Sequence, residues 1–422
     1  MNVKADTILY NIGSLITPRP HAKPLRGKAM DDAIEINNAY IAIKDGMILR
    51  FGAGDGEDYL SKDTERINVH GKLVTPGLID AHTHVVHYGS REYEFEQKMR
   101  GVDYLEILKQ GGGILSSVKM TQDASERNLY RQSRHSLNTM LKHGTTTVEG
   151  KSGYGLFKDT ELKQLRVQKK LNDNHPIDIV GTFLGAHAMP KEYENDRDAF
   201  IDHVIETMDT VKAENLAEFV DVFCETGVFT VEESEKILKA AKDKGFGLKI
   251  HADEIQALGG VPLAARLGAS SADHLMAINA DGYKALSESE TVANVLPSTS
   301  FNLGKPYAPA RVMIDKGLAL ALSSDYNPGS SPSENFLFTL NLAAIHLKLS
   351  PNEILNAATI NAAHSIYRGH EIGVIAPNYK ADITVYDAPN WPYVLYHFAV
   401  NHVVDVYKNG KKVVDNTIVV EG

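Results

Sequence analysis

Apolar and polar residues alternate in short runs at both ends of the chain, whereas the middle alternates compact apolar runs with longer amphipathic stretches. Strict alternation marks half-buried strands. Near the N-terminus it predicts strands over Thr7–Ile12, Ala39–Lys44, Met47–Phe51 and Ile67–Val69, with Asp45-Gly46 as a hairpin turn. Near the C-terminus it predicts Ala381–Tyr386, Val403–Lys408 and, after an Asn409-Gly410 turn, Lys411–Val414. Two β-rich ends around a different middle imply one small β-sandwich domain built from residues 1–72 together with 375–422.

The middle reads as eight strands, Lys72–Ile79, Thr145–Glu149, Ile177–Leu184, Phe219–Cys224, Gly247–Ile250, Ser271–Leu275, Thr291–Leu296 and Leu318–Ser323. Helical patterns fill most gaps: Ala124–His143, Asp159–Leu171, Ala199–Glu214, Val231–Lys244, Val261–Leu267 and Asp281–Ser287, with Pro332–Leu347 and Pro351–Ser365 after the last strand. Near-continuous apolar strands fit a parallel sheet covered on both faces. The expected fold is therefore α/β, a (β/α)8 TIM barrel over residues 73–374 carrying the terminal sandwich.

Barrels of this kind place their chemistry at the C-terminal ends of the strands. Here those ends are rich in histidine and carboxylate. His82 and His84, two apart on a strand, point to one side. Glu149 and Lys151 close the second strand, His187 the third, Cys224-Glu225 the fourth, and His251, Asp253 and Glu254 the fifth. Asp273-His274 closes the sixth and Asp325 the eighth. His82, His84, His251 and Asp325 together suit zinc or iron better than magnesium or calcium. Such a cation lowers the pKa of a water molecule towards neutrality, and Asp325 can receive the proton. Glu254 and His274 can pass a proton to a leaving nitrogen, or else support the ligands. Arg91, Tyr154 and His187 read as substrate contacts, the guanidinium matching a carboxylate. Arg91 taken alone reads first as a surface ion pair with Glu92 or Glu94. Cys224 reads as a small buried residue. His87, His143, His175 and His346 lie off the strand ends and read as structural or solvent-facing. Gly111-Gly112-Gly113 follows a helix and lacks the Gly-Lys-Ser/Thr of a phosphate loop, so it reads as an active-site loop.

Composition removes other classes. A net charge of −10 opposes binding along a nucleic-acid backbone. No apolar run is long enough to cross a bilayer, and residues 1–17 lack the pattern of a signal peptide. With a single cysteine no intrachain disulfide can form. The expectation is a cytoplasmic enzyme with a small-molecule substrate, no nucleic-acid or membrane partner, and a homodimeric assembly, the commonest kind.

The stretch Thr75-Pro76-Gly77-Leu78-Ile79-Asp80-Ala81-His82-Thr83-His84, with the later histidine and aspartate, resembles the amidohydrolase superfamily. Within it, the chain is similar to the imidazolonepropionase family through several further motifs: Gly89-Ser90-Arg91-Glu92, Lys151-Ser152-Gly153-Tyr154-Gly155, Phe183-Leu184-Gly185-Ala186-His187 and Lys249-Ile250-His251-Ala252-Asp253-Glu254. Ser271-Ala272-Asp273-His274-Leu275, Lys305-Pro306-Tyr307-Ala308-Pro309-Ala310-Arg311 and Asp325-Tyr326-Asn327-Pro328-Gly329-Ser330-Ser331-Pro332 complete the set. The resemblance implies one divalent or trivalent metal ion per chain, zinc or iron, on His82, His84, His251 and Asp325. It implies substrate or product contacts from Arg91, Tyr154, His187, Glu254, Asn327, Gly329 and Ser330. The implied reaction is hydrolysis of the lactam C–N bond of 4-imidazolone-5-propanoate to N-formimidoyl-L-glutamate, a step of histidine degradation. Its rivals are another cyclic amidase or heterocycle deaminase of the superfamily, and a non-catalytic metal-binding barrel. The chain departs from the family at His87-Tyr88 and Gly150, which touch the pocket wall.

Overall fold

The computed structural model describes residues 3–102, 106 and 111–416. The extreme ends of the expected composite domain, 1–2 and 417–422, lie outside the described residues. One eight-stranded sheet runs in chain order through Leu78–Thr83, Thr145–Lys151, Asp178–Ala186, Phe219–Cys224, Gly247–Ala252, Ser271–His274, Val292–Val295 and Leu320–Leu322. Every neighbouring pair is parallel. The last strand is short, and the barrel closes just beyond it. His84 N donates to Tyr326 O at 2.8 Å and Asp325 N to His82 O at 3.1 Å. That seam sets Asp325 beside the two histidines of the first strand, although 241 residues of backbone would otherwise separate Asp325 and His84 by sequence alone.

The strand expected over Lys72–Ile79 is two strands in two sheets. Leu73–Pro76 pairs with Thr7–Thr17 and with Ile383–Tyr386 in the terminal sheet, and Leu78–Thr83 opens the barrel. Pro76 has no N–H to continue a ladder. Gly77 then passes so close to Thr146 that a Cβ would lie 2.3 Å from its Oγ1, which lets the chain turn from one sheet into the other. The helix expected over Pro351–Ser365 also divides, into Pro351–Ala357 and Ile360–Ser365. Thr359 leaves helical backbone there, and the carbonyl of Ala358 accepts from Ile79 N at 2.9 Å. Helices Glu92–Met99 and Ile114–Asp123 lie between the first two barrel strands, where a helix is expected ahead of Gly111-Gly112-Gly113 and none between Gly113 and Ala124.

The second sheet draws strands from both ends of the chain and makes the small sandwich. Its alternation is visible in burial: Leu9, Ile41 and Ile43 join one apolar cluster, whereas Ile8, Tyr40 and Ala42 join another. Side chains of successive strand residues face opposite ways, so one ladder feeds both cores. The barrel helices cover their strands through one large apolar cluster, and helix Ile360–Ser365 adds a smaller one with Ile79, Val180, Phe219 and Val292. Among the described residues no helix is long and apolar enough to cross a membrane.

Candidate active site

The parallel strands deliver His82, His84, His251 and Asp325 to one point. Ring centroids of His82 and His251 are 4.6 Å apart, those of His82 and His84 5.5 Å, and those of His84 and His251 5.8 Å. Asp325 Oδ1 lies 3.4 Å from His82 Nε2 and 3.6 Å from His84 Nε2. Its other oxygen, Oδ2, accepts from Thr299 Oγ1 at 2.6 Å, which turns Oδ1 towards the histidines. The backbone of Asp325 sits at φ 54, in the left-handed region where aspartate is more tolerated than most side chains.

Two of the three histidines lie against a buried carboxylate. His82 Nδ1 is 2.6 Å from Asp273 Oδ2, and His251 Nδ1 is 3.0 Å from Asp221 Oδ2. The carboxylate of Asp273 keeps the proton of His82 on Nδ1 and leaves its Nε2 as a lone pair, and Asp221 lies against His251 as a charge partner. His82 Nε2 and His251 Nε2 are buried without any hydrogen-bond partner. Orphaned lone pairs at the centre of a protein are costly unless something binds them. Burial holds His82 and His84 well below the usual histidine range, so both are neutral donors. Burial pushes His251 down too, but Asp221 beside it outweighs burial and holds it above that range. Three neutral or carboxylate-oriented imidazoles and one carboxylate oxygen fit a transition-metal ion. His82, His84 and Asp325 form one close group of donor atoms, and His82 with His251 and His274 forms another.

Beneath the ligands lies a charged layer: Glu149, Lys151 and Asp273 stand at the expected strand ends, but their pairing, and Asp221, were missed by sequence reasoning. Lys151 is fully buried, 2.8 Å from Glu149 Oε1, 2.7 Å from Asp221 Oδ2 and 3.6 Å from Asp273 Oδ2. It thus ties together the two carboxylates that aim His82 and His251. Burial lowers its pKa, but Asp221 and Glu149 more than offset this and the ammonium is held up. The only signal in the sequence is period two: Glu149 and Lys151 alternate with Gly150, so both point into the barrel.

The remaining expected residues ring this centre. His274 packs against His251 at 5.1 Å between centroids, and its Nε2 is 3.8 Å from Glu254 Oε2. His187 stacks on His84 at 5.0 Å and 10°. Its Nδ1 is 3.0 Å from the carbonyl of Gly153, which can only accept, so Nδ1 carries the proton and Nε2 is an acceptor. Tyr154 stands edge-on to His187 at 5.4 Å. Burial first, and the Asp325 charge second, push its hydroxyl up, while Arg91 pulls it down. Arg91 Nη2 donates to Glu94 Oε2 at 2.7 Å, the ion pair its sequence neighbours allow. Asn327 organises the eighth-strand loop: its Oδ1 accepts from Gly329 N and Ser330 N, both at 2.8 Å. Cys224 is buried, as expected of a small core residue. His87 is buried with Nδ1 2.8 Å from His84 O, and Gly113 N donates to Glu94 Oε1. Glu161 is a further residue that sequence reasoning missed. Its Oε1 accepts from Gly155 N at 2.7 Å and Leu156 N at 2.8 Å, shaping the loop that carries Tyr154.

The amidohydrolase family model matches residues 73–419. An imidazolonepropionase of Fusobacterium nucleatum subsp. nucleatum is 53% identical over 414 residues, covering 97% of this chain and 99% of that protein. One of Alkaliphilus oremlandii is 51% identical over 420 residues, covering 98% of this chain and 99% of that one. Among solved structures, an adenosine deaminase of Xanthomonas campestris with bound zinc shares the fold at a TM-score of 0.73 and 17% identity, covering 100% of this chain and 96% of its own. With that fold, that matched span and relatives at this identity, the chain belongs to the amidohydrolase family and, within it, to the imidazolonepropionases.

Proposed function

We propose that this chain hydrolyses 4-imidazolone-5-propanoate to N-formimidoyl-L-glutamate, in histidine degradation, using one metal ion, zinc or iron, held by His82, His84, His251 and Asp325. The observation that carries the reading is the convergence of these four side chains in a chain 53% identical to an imidazolonepropionase over 414 residues. When bound, the metal supplies Lewis-acid activation of water at neutral pH. The residues of the chain supply the rest. Asp325 takes a proton from the attacking water. The water oxygen bonds to the ring carbonyl carbon, and the C–N bond of the lactam breaks. The proton passes from Asp325 by way of Glu254, beside His274, to the departing ring nitrogen, which becomes the formimidoyl nitrogen. His274 lies against His251 and can donate to the carbonyl oxygen as charge develops there. The flat ring packs against the surface that His187 and Tyr154 form together, their own rings meeting edge-on. His187 Nε2, an acceptor, suits a ring N–H. Arg91 takes the propanoate tail, and the Asn327–Ser330 loop meets the carboxylate that hydrolysis creates.

A deaminase of a neutral base is the second reading, and the pairing of Arg91 with Tyr154 speaks against it because such a base has no carboxylate. The assignment predicts that loss of imidazolone absorbance is catalysed by the purified protein, abolished by chelation and restored by zinc or iron(II). The compound is labile, so the uncatalysed rate is subtracted. Absence of catalysis above that rate in metal-loaded protein would falsify the reading. Elemental analysis decides between zinc and iron, and light scattering tests the homodimer. A reducing, cytoplasmic setting is in keeping with the single buried thiol of Cys224.

A further inference from the structure

Arg91 is a long side chain at the start of helix Glu92–Met99, and its recognition of a carboxylate requires that its freedom be removed before the substrate arrives. The side chain is nonetheless only 12% exposed, so something holds it. Glu94 does so with one oxygen, Oε2, which accepts from Arg91 Nη2 at 2.7 Å. The other oxygen, Oε1, accepts from Gly113 N at 2.9 Å, immediately before helix Ile114–Asp123. Glu94 is therefore a buried acid, 7% exposed, with both oxygens engaged. The opposite side of the guanidinium lies on Gly329, where a Cβ would sit 2.0 Å from Arg91 Nη1. Gly329 does not have positive φ, so backbone conformation does not demand glycine there; the space taken by the guanidinium does.

We propose that Glu94 is a positioning residue for substrate recognition: anchored to the backbone at Gly113, it seats the Arg91 guanidinium over Gly329 and leaves the remaining donors to face the propanoate tail. The inference rests on the reading of Arg91 as the tail's partner. It differs from a plain ion pair in what it predicts. An ion pair that only stabilises the fold affects every substrate alike, whereas a positioned cation matters to a substrate that carries the anion.

The test measures KM and kcat for 4-imidazolone-5-propanoate and for its neutral propanamide in wild type, Glu94→Ala, Glu94→Gln, Gly329→Ala and Arg91→Ala. Glu94→Ala is expected to raise KM for the propanoate by about tenfold or more, the scale of a charged hydrogen bond, with kcat within about twofold. KM for the propanamide is expected to stay unchanged. Glu94→Gln keeps the shape but has one acceptor oxygen, so it keeps only one of the two contacts and loses the charge; it is expected to fold and to show a rise in the same direction, no larger than that of Glu94→Ala. Gly329→Ala, which crowds the guanidinium, is expected to raise the propanoate KM selectively too. An equal rise for both substrates, or no rise in either Glu94 variant while Arg91→Ala still raises the propanoate KM, overturns the role of Glu94 alone. An unchanged propanoate KM in Arg91→Ala overturns the reading of Arg91 itself, and the proposal with it.

Discussion

The two ends of the site are held by different means. At the metal end, the candidate ligands come from strand termini, and the groups that aim them are other side chains: Asp273 on His82, Asp221 on His251, and Lys151 between the two acids. At the tail end, Arg91, Tyr154 and the Asn327–Ser330 loop stand on irregular backbone, and the supporting groups bind main-chain N–H. Glu94 holds Gly113, Asn327 holds Gly329 and Ser330, and Glu161 holds Gly155 and Leu156. A strand in a closed parallel sheet already has its backbone donors and acceptors paired, so only the side chain needs orienting. A loop has both to fix, and a buried carboxylate or amide that accepts from two N–H groups does the first task. Damage at the metal end should therefore act through metal affinity and chemistry, and damage at the tail end through local order and substrate binding.

The largest effect should come from the ligands themselves. His251→Ala is expected to lower kcat/KM by at least about a thousandfold, because transition-state charge stabilisation at the metal goes with it. Residual activity near wild type would place the metal elsewhere. Lys151→Met should cost roughly 3–5 kcal/mol of stability, since removing one partner leaves three buried carboxylates with Lys249 as the neighbouring ammonium. Urea unfolding of the protein measures it. A loss below 1 kcal/mol would mean that the acids are protonated or hydrated rather than clamped. Asp273→Asn should weaken metal binding by about 10- to 100-fold, as is usual when the group orienting a ligating histidine is altered. Competition with a chromogenic chelator gives the number, and an unchanged affinity would break the contrast drawn between the two ends.

The metal end was legible in the sequence because strand geometry is periodic. His82 and His84 share a face by spacing, and residues closing successive strands of a barrel must meet at its rim. What spacing does not carry is partnership across strands. Asp221 sits inside a predicted strand, where it reads as a polar residue out of place, and only the register of Gly247–Ala252 against Phe219–Cys224 sets it near His251. The division of Lys72–Ile79 between two sheets was likewise hidden, because an unbroken apolar run looks the same whether it serves one core or two. Pro76-Gly77 marked the place without saying what happened there. At the tail end, Arg91 and Tyr154 stood out as candidate contacts and Glu94 only as an ion-pair partner for Arg91. The hold of Glu94 on Gly113, and of Glu161 on the loop that carries Tyr154, is seen only in the structure.

The smallest effect, and the sharpest test of the contrast, is expected at Asn327. Its Oδ1 accepts from Gly329 N and Ser330 N, and its Nδ2 donates to Asp325 O at 2.7 Å and to Ser330 Oγ at 2.8 Å. Asn327→Ala removes all four bonds from one turn, yet leaves the Asp325 side chain with Thr299. Loss of neutral hydrogen bonds in a partly exposed loop, where water can replace some of them, is worth about 1 kcal/mol or a little more. Metal affinity should stay within about threefold of wild type, while KM rises by about five- to tenfold and global stability changes little. If metal affinity instead falls as far as in Asp273→Asn, then the loop is part of the metal's support. The two ends would in that case be one unit, joined through the Asn327 bond to the Asp325 carbonyl.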